Sequence, residues 1–150
     1  MSRTSGRGAP LCYISRTEHF SSAHRLHNPS LSEEDNRDIY GKCNHPHGHG
    51  HNYVVKATLR GAVDPRTGMV INLVTLKEAM RLVLEELDHR NIDLDVEHFR
   101  SGTPSTAENL SVYIFNKLNE SLPLGLLFEV ELQETVNNVA FYRGEYSDSS

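Results

Sequence analysis

Between residues 43 and 51 the chain reads Cys-Asn-His-Pro-His-Gly-His-Gly-His, which places four histidines and one cysteine within nine residues. Imidazole nitrogen and thiolate sulfur are donors that zinc favours, at about 2.0–2.3 Å. Side chains at i and i+2 of an extended chain point to one face, so His49 and His51 can offer two imidazoles to a single ion. His47 has the same parity, and spacing alone leaves it as an alternative to His49. Gly48 and Gly50 allow the backbone to come close to its surroundings. A catalytic zinc takes three protein ligands and keeps a fourth position open. The third imidazole must come from elsewhere, and His24, in Ser22-Ala23-His24-Arg25-Leu26, is the best placed if the two strands are antiparallel neighbours.

Cys43 has two readings. It either closes a Cys/His3 structural site or stands beside an open one as a reactive thiol. A free thiol ionises at about 8.5, so a base working near neutrality needs a neighbouring imidazole or metal charge. Asp88-His89 can form such a relay, with the carboxylate orienting the imidazole and the imidazole taking the thiol proton. An Asp-His pair at a helix end also arises for electrostatic reasons alone. Cys12, in a strand beside Tyr13 and Ile14, is expected to be a buried, inert thiol. Glu134 at a strand end, and Thr106 and Glu108 at a helix start, are individually ordinary.

The elements that must position these groups follow from pattern. Leu11 to Arg25 is rich in Tyr, Ile, Thr and Phe and predicts the first strand. Ser32 with Asp35 three residues on predicts a short helix through Ile39, stopped by Gly41. The second strand is clearest from Tyr53 to Arg60, where apolar and polar residues alternate. Asp64-Pro65-Arg66-Thr67-Gly68 is a turn. Asn72 caps an amphipathic helix carrying Leu73, Leu76, Met80, Val83, Leu84 and Leu87, with Asp88 and His89 at its end. Ser105 and Glu108 form a capping box for a second helix that Pro123 closes. Strands Leu127 to Glu134 and Val139 to Arg143 finish the chain. The order is ββααββ, an α+β layout.

With 150 residues, the chain has the length of one domain with one core. Residues 11–144 read as that domain; residues 1–10 and 145–150, polar and without periodicity, read as tails. A net charge of −5 gives no global attraction to nucleic acid or an anionic membrane, which favours a small-molecule partner. The N-terminus lacks the apolar stretch of a signal peptide, and no run is long enough to span a bilayer, so a cytoplasmic location with reduced thiols is expected.

Taken together, six motifs resemble the 6-pyruvoyl-tetrahydropterin synthase family over nearly the whole chain. They are FSSAHRL from Phe20, YGKCNHPHGHGHNY from Tyr40, DPRTGMVINL from Asp64, LDHRN from Leu87, STAENL from Ser105, and Glu134-Thr135 followed by Asn137-Asn138. The five residues between Cys43 and His49 resemble animal-type members, whereas bacterial queuosine-pathway relatives typically have three. The resemblance implies the tunnelling (T) fold: a four-stranded antiparallel sheet with two helices on one face. It also implies that three such sheets close into a barrel and that two trimers stack into a homohexamer with active sites between subunits. It implies His24, His49 and His51 as ligands of one Zn2+ per subunit, Cys43 as general base, Asp88 and His89 as its partners, and Glu134 as the pterin anchor. Thr106 matches a pterin-pocket residue. The implied activity converts 7,8-dihydroneopterin triphosphate to 6-pyruvoyl-tetrahydropterin and triphosphate in tetrahydrobiopterin synthesis, with Arg16, Arg25 and Lys42 as candidates for the phosphates. A 6-carboxy-tetrahydropterin synthase is the nearest alternative, and a noncatalytic zinc-binding interaction domain is the alternative from another class.

Overall fold

The structure is a computed structural model and describes residues 6–149. Of the expected tails, residues 1–5 and 150 lie outside the described residues, and residues 6–10 carry no regular structure. Two long strands organise the rest: β1 (Leu11–His24) and β2 (His49–Ala62) pair antiparallel along their full length, from Leu11 opposite Ala62 to His24 opposite His49. The chain continues as α1 (Glu33–Tyr40), a 3-10 turn (Gly41–Asn44), β2, α2 (Leu73–Glu85), β3 (Arg90–Asn91), α3 (Ile92–Asp95), α4 (Glu97–Arg100), α5 (Ala107–Ser121), β4 (Leu127–Thr135) and β5 (Asn138–Tyr142). Among the described residues the sheet order is β3-β1-β2-β4-β5. The expected four antiparallel strands are all present. The two-residue β3, parallel to β1 at Ser22 and Ala23, is an addition that no periodicity signals.

Alternation explains which face holds the core. Phe20, Ser22 and His24 of β1, Tyr53, Val55, Ala57 and Leu59 of β2, and Val130 and Leu132 of β4 are buried. All but Ser22 and His24 form one apolar cluster with Leu76, Met80, Val83 and Leu84 of α2 and Leu110, Ile114, Phe115 and Leu118 of α5, so both long helices cover the same face. The other face is mixed: Ser15, Thr17 and His19 are exposed and Lys56 pairs with Glu131 at 3.1 Å, while Tyr13, Val139 and Phe141 also lie exposed on it. Outside its short pairing with β3, β1 has an open edge among the described residues, and β5 forms the other edge.

Local signals set several boundaries. Ser32 accepts a hydrogen bond from the Asp35 N–H at 3.0 Å and starts α1, and Asn72 accepts from the Val74 N–H at 2.9 Å and starts α2. Three expectations need correction. The second strand begins at His49, not near Tyr53, because its pairing with β1 extends through the histidine run. The cap of α5 is Thr106, whose hydroxyl accepts from the Asn109 N–H at 3.1 Å; Ser105 is buried and turned to another purpose. Cys12 is exposed, because it lies at the far end of β1, beyond the cover of the helices.

Candidate metal centre and its acid-base neighbours

The register of β1 and β2 builds the site. His24 stands directly opposite His49, and Ser22 opposite His51, so the three imidazoles share the helix-covered face at one end of the sheet. Their ring centroids are 4.6–5.0 Å apart, and one nitrogen from each lies within 4.8 Å of the others. His47, the alternative by parity, lies in the turn before β2, where its N–H donates to His45 Nδ1 at 3.2 Å. Cys43 is half-buried in the 3-10 turn and, among the described residues of this chain, does not join the three converging imidazoles.

Two details show that the nest is prepared for a cation. His24 is wholly buried, and its Nδ1 lies 2.8 Å from the Ser105 carbonyl oxygen. Only a protonated Nδ1 can donate to that oxygen, which leaves the Nε2 lone pair for an ion. His24 Nε2 and His51 Nε2 are both buried without a hydrogen-bond partner, an arrangement that is costly unless a guest satisfies them. Burial, reinforced by the neighbouring imidazoles, holds His24 below the ordinary histidine pKa, and the same causes lower His49. Neutral imidazole is the form that binds metal. Gly48 makes the geometry possible: its φ is +71°, and a Cβ there would sit 2.8 Å from the His24 carbonyl oxygen.

Glu134 follows Leu132 by two residues on β4 and shares its face, which brings Oε1 to 3.7 Å from His51 Nε2. Tyr53, two residues beyond His51, is wholly buried, and burial together with the nearby Glu134 and Asp93 carboxylates pushes its phenol far above the usual range. Nothing in the sequence marked Ser105 or Tyr53 as site residues, because one acts through a backbone carbonyl 81 positions from its partner and the other looks like an ordinary core aromatic.

The Asp88-His89 pair forms as expected, with Asp88 Oδ2 2.9 Å from His89 Nδ1. It is fastened to the edge of β1, where the Ser21 N–H donates to Asp88 Oδ1 at 2.9 Å and the His89 N–H donates to the Ser21 carbonyl at 2.6 Å. The Ser21 N–H, with help from His89, holds the Asp88 carboxyl below its usual pKa. His89 has φ +59° and a side chain 82% exposed. A shallow cleft of about 420 Å³ has both His51 and His89 among its lining residues. Cys43 makes no hydrogen bond with His89 among the described residues of this chain, and its backbone carbonyl accepts from the Leu26 N–H at 3.0 Å. Of the basic candidates, Arg16 is committed to Glu18 at 2.7 Å, and the Arg25 Nε donates to the Asn44 carbonyl at 2.8 Å. Thr106 gives its hydroxyl oxygen to the helix cap.

Comparison with known proteins places this arrangement. Residues 13–145 match the family described as 6-pyruvoyl tetrahydropterin synthase. The chain is 50% identical over 139 residues to the 6-pyruvoyl tetrahydrobiopterin synthase of Drosophila melanogaster, covering 91% of this chain and 82% of that protein. It is 48% identical over 133 residues to the human enzyme of the same name, covering 88% and 91%. The solved structure of Caenorhabditis elegans 6-pyruvoyl tetrahydropterin synthase superposes with a TM-score of 0.89 at 47% identity, covering 91% of this chain and 98% of that one.

Proposed function

The chain belongs to the 6-pyruvoyl tetrahydropterin synthase family, and on that premise we propose that it converts 7,8-dihydroneopterin triphosphate to 6-pyruvoyl-tetrahydropterin and triphosphate, with Zn2+ held by His24, His49 and His51. The observation that carries the metal assignment is the pair of orphaned Nε2 atoms in a nest whose His24 tautomer is set by Ser105. Three neutral imidazoles suit zinc and leave a fourth position free. Zinc bound there supplies Lewis-acid polarisation of the substrate's side-chain hydroxyls.

The chain's own groups supply the rest. Glu134, an acceptor-only carboxylate, receives hydrogen bonds from the pterin amino and ring N–H groups. Cys43 takes protons from the side-chain carbons and returns them as triphosphate leaves, so electrons are redistributed within the substrate and no nicotinamide is needed. His89, oriented by Asp88, receives the thiol proton. Because His89 points outward from an open sheet edge, its thiol partner is supplied by assembly: a homohexamer, a dimer of trimers, pairs the β1 and β5 edges of neighbouring subunits and buries what a lone sheet exposes. We assign the catalytic domain to residues 11–144 and the cytoplasm as its compartment; among the described residues no helix is long and apolar enough to cross a membrane.

The test is turnover of dihydroneopterin triphosphate by zinc-loaded protein, with the product identified by mass spectrometry. A three-carbon 6-pyruvoyl side chain supports the assignment. A 6-carboxy product, or no turnover at any zinc loading, rejects it.

A further inference from the structure

Among the described residues three buried side-chain polar atoms lack a hydrogen-bond partner: His24 Nε2, His51 Nε2 and Tyr53 Oη. A metal ion explains the two nitrogens. It does not explain a phenol that no part of the proposed chemistry uses. Tyr53 is 0% exposed and follows His51 on the same face of β2. Its ring lies flat on Phe20, with centroids 4.7 Å apart and planes 9° apart, and stands edge-on to His51 at 5.5 Å and His24 at 6.3 Å. The ring is therefore locked by packing against the same imidazoles whose nitrogens are also unsatisfied.

Burying a hydroxyl without a partner is unfavourable, and phenylalanine would fill the same space and stack on Phe20 without that penalty. The hydroxyl is best explained by a guest that pairs with it when the centre is loaded. An oxygen in the fourth position beside three imidazoles has a lone pair to offer and, when it belongs to water or an alcohol, a proton to place. In the resting protein, before a pterin engages it, Glu134, 3.7 Å from His51 Nε2, is an acceptor for the proton of a water there. A neutral phenol is a donor for the lone pair, and Tyr53 carries the buried donor that the chain has left unspent.

We propose that Tyr53 is a positioning residue whose hydroxyl donates a hydrogen bond to the oxygen of the guest held beside His24, His49 and His51: water in the resting protein and a side-chain hydroxyl of the substrate in the complex. The water half rests on the three-imidazole metal assignment, and the substrate half rests also on the proposed reaction.

Tyr53→Phe tests it in three measurements. The melting temperature of the metal-free variant holds or rises, because an unsatisfied hydroxyl has been removed from a buried position. Its dissociation constant for Zn2+, measured by competition with a chelator, rises about tenfold, the scale expected when an outer-shell hydrogen bond is lost. In the zinc-loaded variant, a non-reacting pterin with a dihydroxylated side chain loses about tenfold in affinity, whereas 6-methylpterin is unaffected. A fall in metal-free melting temperature with an unchanged zinc constant shows that Tyr53 serves the fold alone and overturns the proposal. Equal loss of both pterins, or no loss of either, overturns its substrate half. Failure of the parent protein to bind either pterin counts against the reaction, while the zinc constant still decides the role of Tyr53.

Discussion

The three-imidazole nest and the Asp88-His89 pair are both anchored to the last four residues of β1, yet they are built in opposite ways. His24 is wholly buried and faces across the sheet to His49, so the nest is a product of strand register and is prepared within one chain. His89 is fastened to the backbone of Ser21 on the open edge and points its imidazole into solvent. The contrast is that the three imidazoles converge within one chain, whereas the Asp88-His89 pair faces outward, where the proposed assembly would bring its partner. A buried site gains its order from the core, while an exposed edge gains order from a partner.

The sharpest way to break this comparison is to remove an arm of the nest. His24→Ala, His49→Ala and His51→Ala are each expected to weaken zinc binding by on the order of 100-fold or more and to abolish turnover, because a three-ligand site losing one donor holds metal poorly. His45→Ala and His47→Ala, which alter the turn, are expected to leave zinc content near normal. Metal analysis showing equal zinc loss in all five variants would sink the ligand assignment.

Cys43→Ala separates metal from chemistry. Turnover should fall by roughly 10²–10⁴-fold, the usual scale for removing a general base, with zinc fully retained. Cys12→Ala, at an exposed position remote from the nest, should behave as the parent. A zinc-free Cys43→Ala protein would require the thiol to be a ligand and would end the base assignment.

Gly48→Ala probes how the nest is held. The new Cβ meets the His24 carbonyl oxygen at 2.8 Å in a backbone with φ +71°, so we expect a loss of about 1–2 kcal/mol in stability and weaker zinc binding. Gly68→Ala is the matched control: its φ is +72° but its surroundings are open, and it should lose stability without changing zinc affinity. Equal zinc constants in the two variants would show that the close approach at residue 48 does not set the site.

The smallest effect is expected at the edge. The Asp88 carboxyl is held below its unfolded value, chiefly by the Ser21 N–H, so the carboxylate stabilises the fold above a pH of about 4. That contribution is lost as pH falls through the lowered folded value. The side chain is 43% exposed, so solvent screening keeps the contribution below about 1 kcal/mol. Asp88→Asn should flatten this acid limb, spare zinc, and displace the pH profile of turnover. An unchanged pH profile would remove Asp88 and His89 from the proton relay.

What the sequence by itself determined is local or periodic. The i, i+2 spacing of His49 and His51, the caps Ser32 and Asn72, the adjacency of Asp88 and His89, and the alternation of β2 all depend on neighbours a few residues away. Tertiary structure decided what depends on distant neighbours. Parity could not choose between His47 and His49; pairing with β1 did, by setting His49 opposite His24. Ser105 resembled a helix cap, and its carbonyl instead orients an imidazole 81 positions earlier. The core end of Tyr53 is written in the alternation of β2, but its unsatisfied hydroxyl is visible only when the histidines are folded around it. Pattern reports which face a side chain takes, whereas a hydrogen-bond partner across the fold is chosen by packing, which no local period encodes.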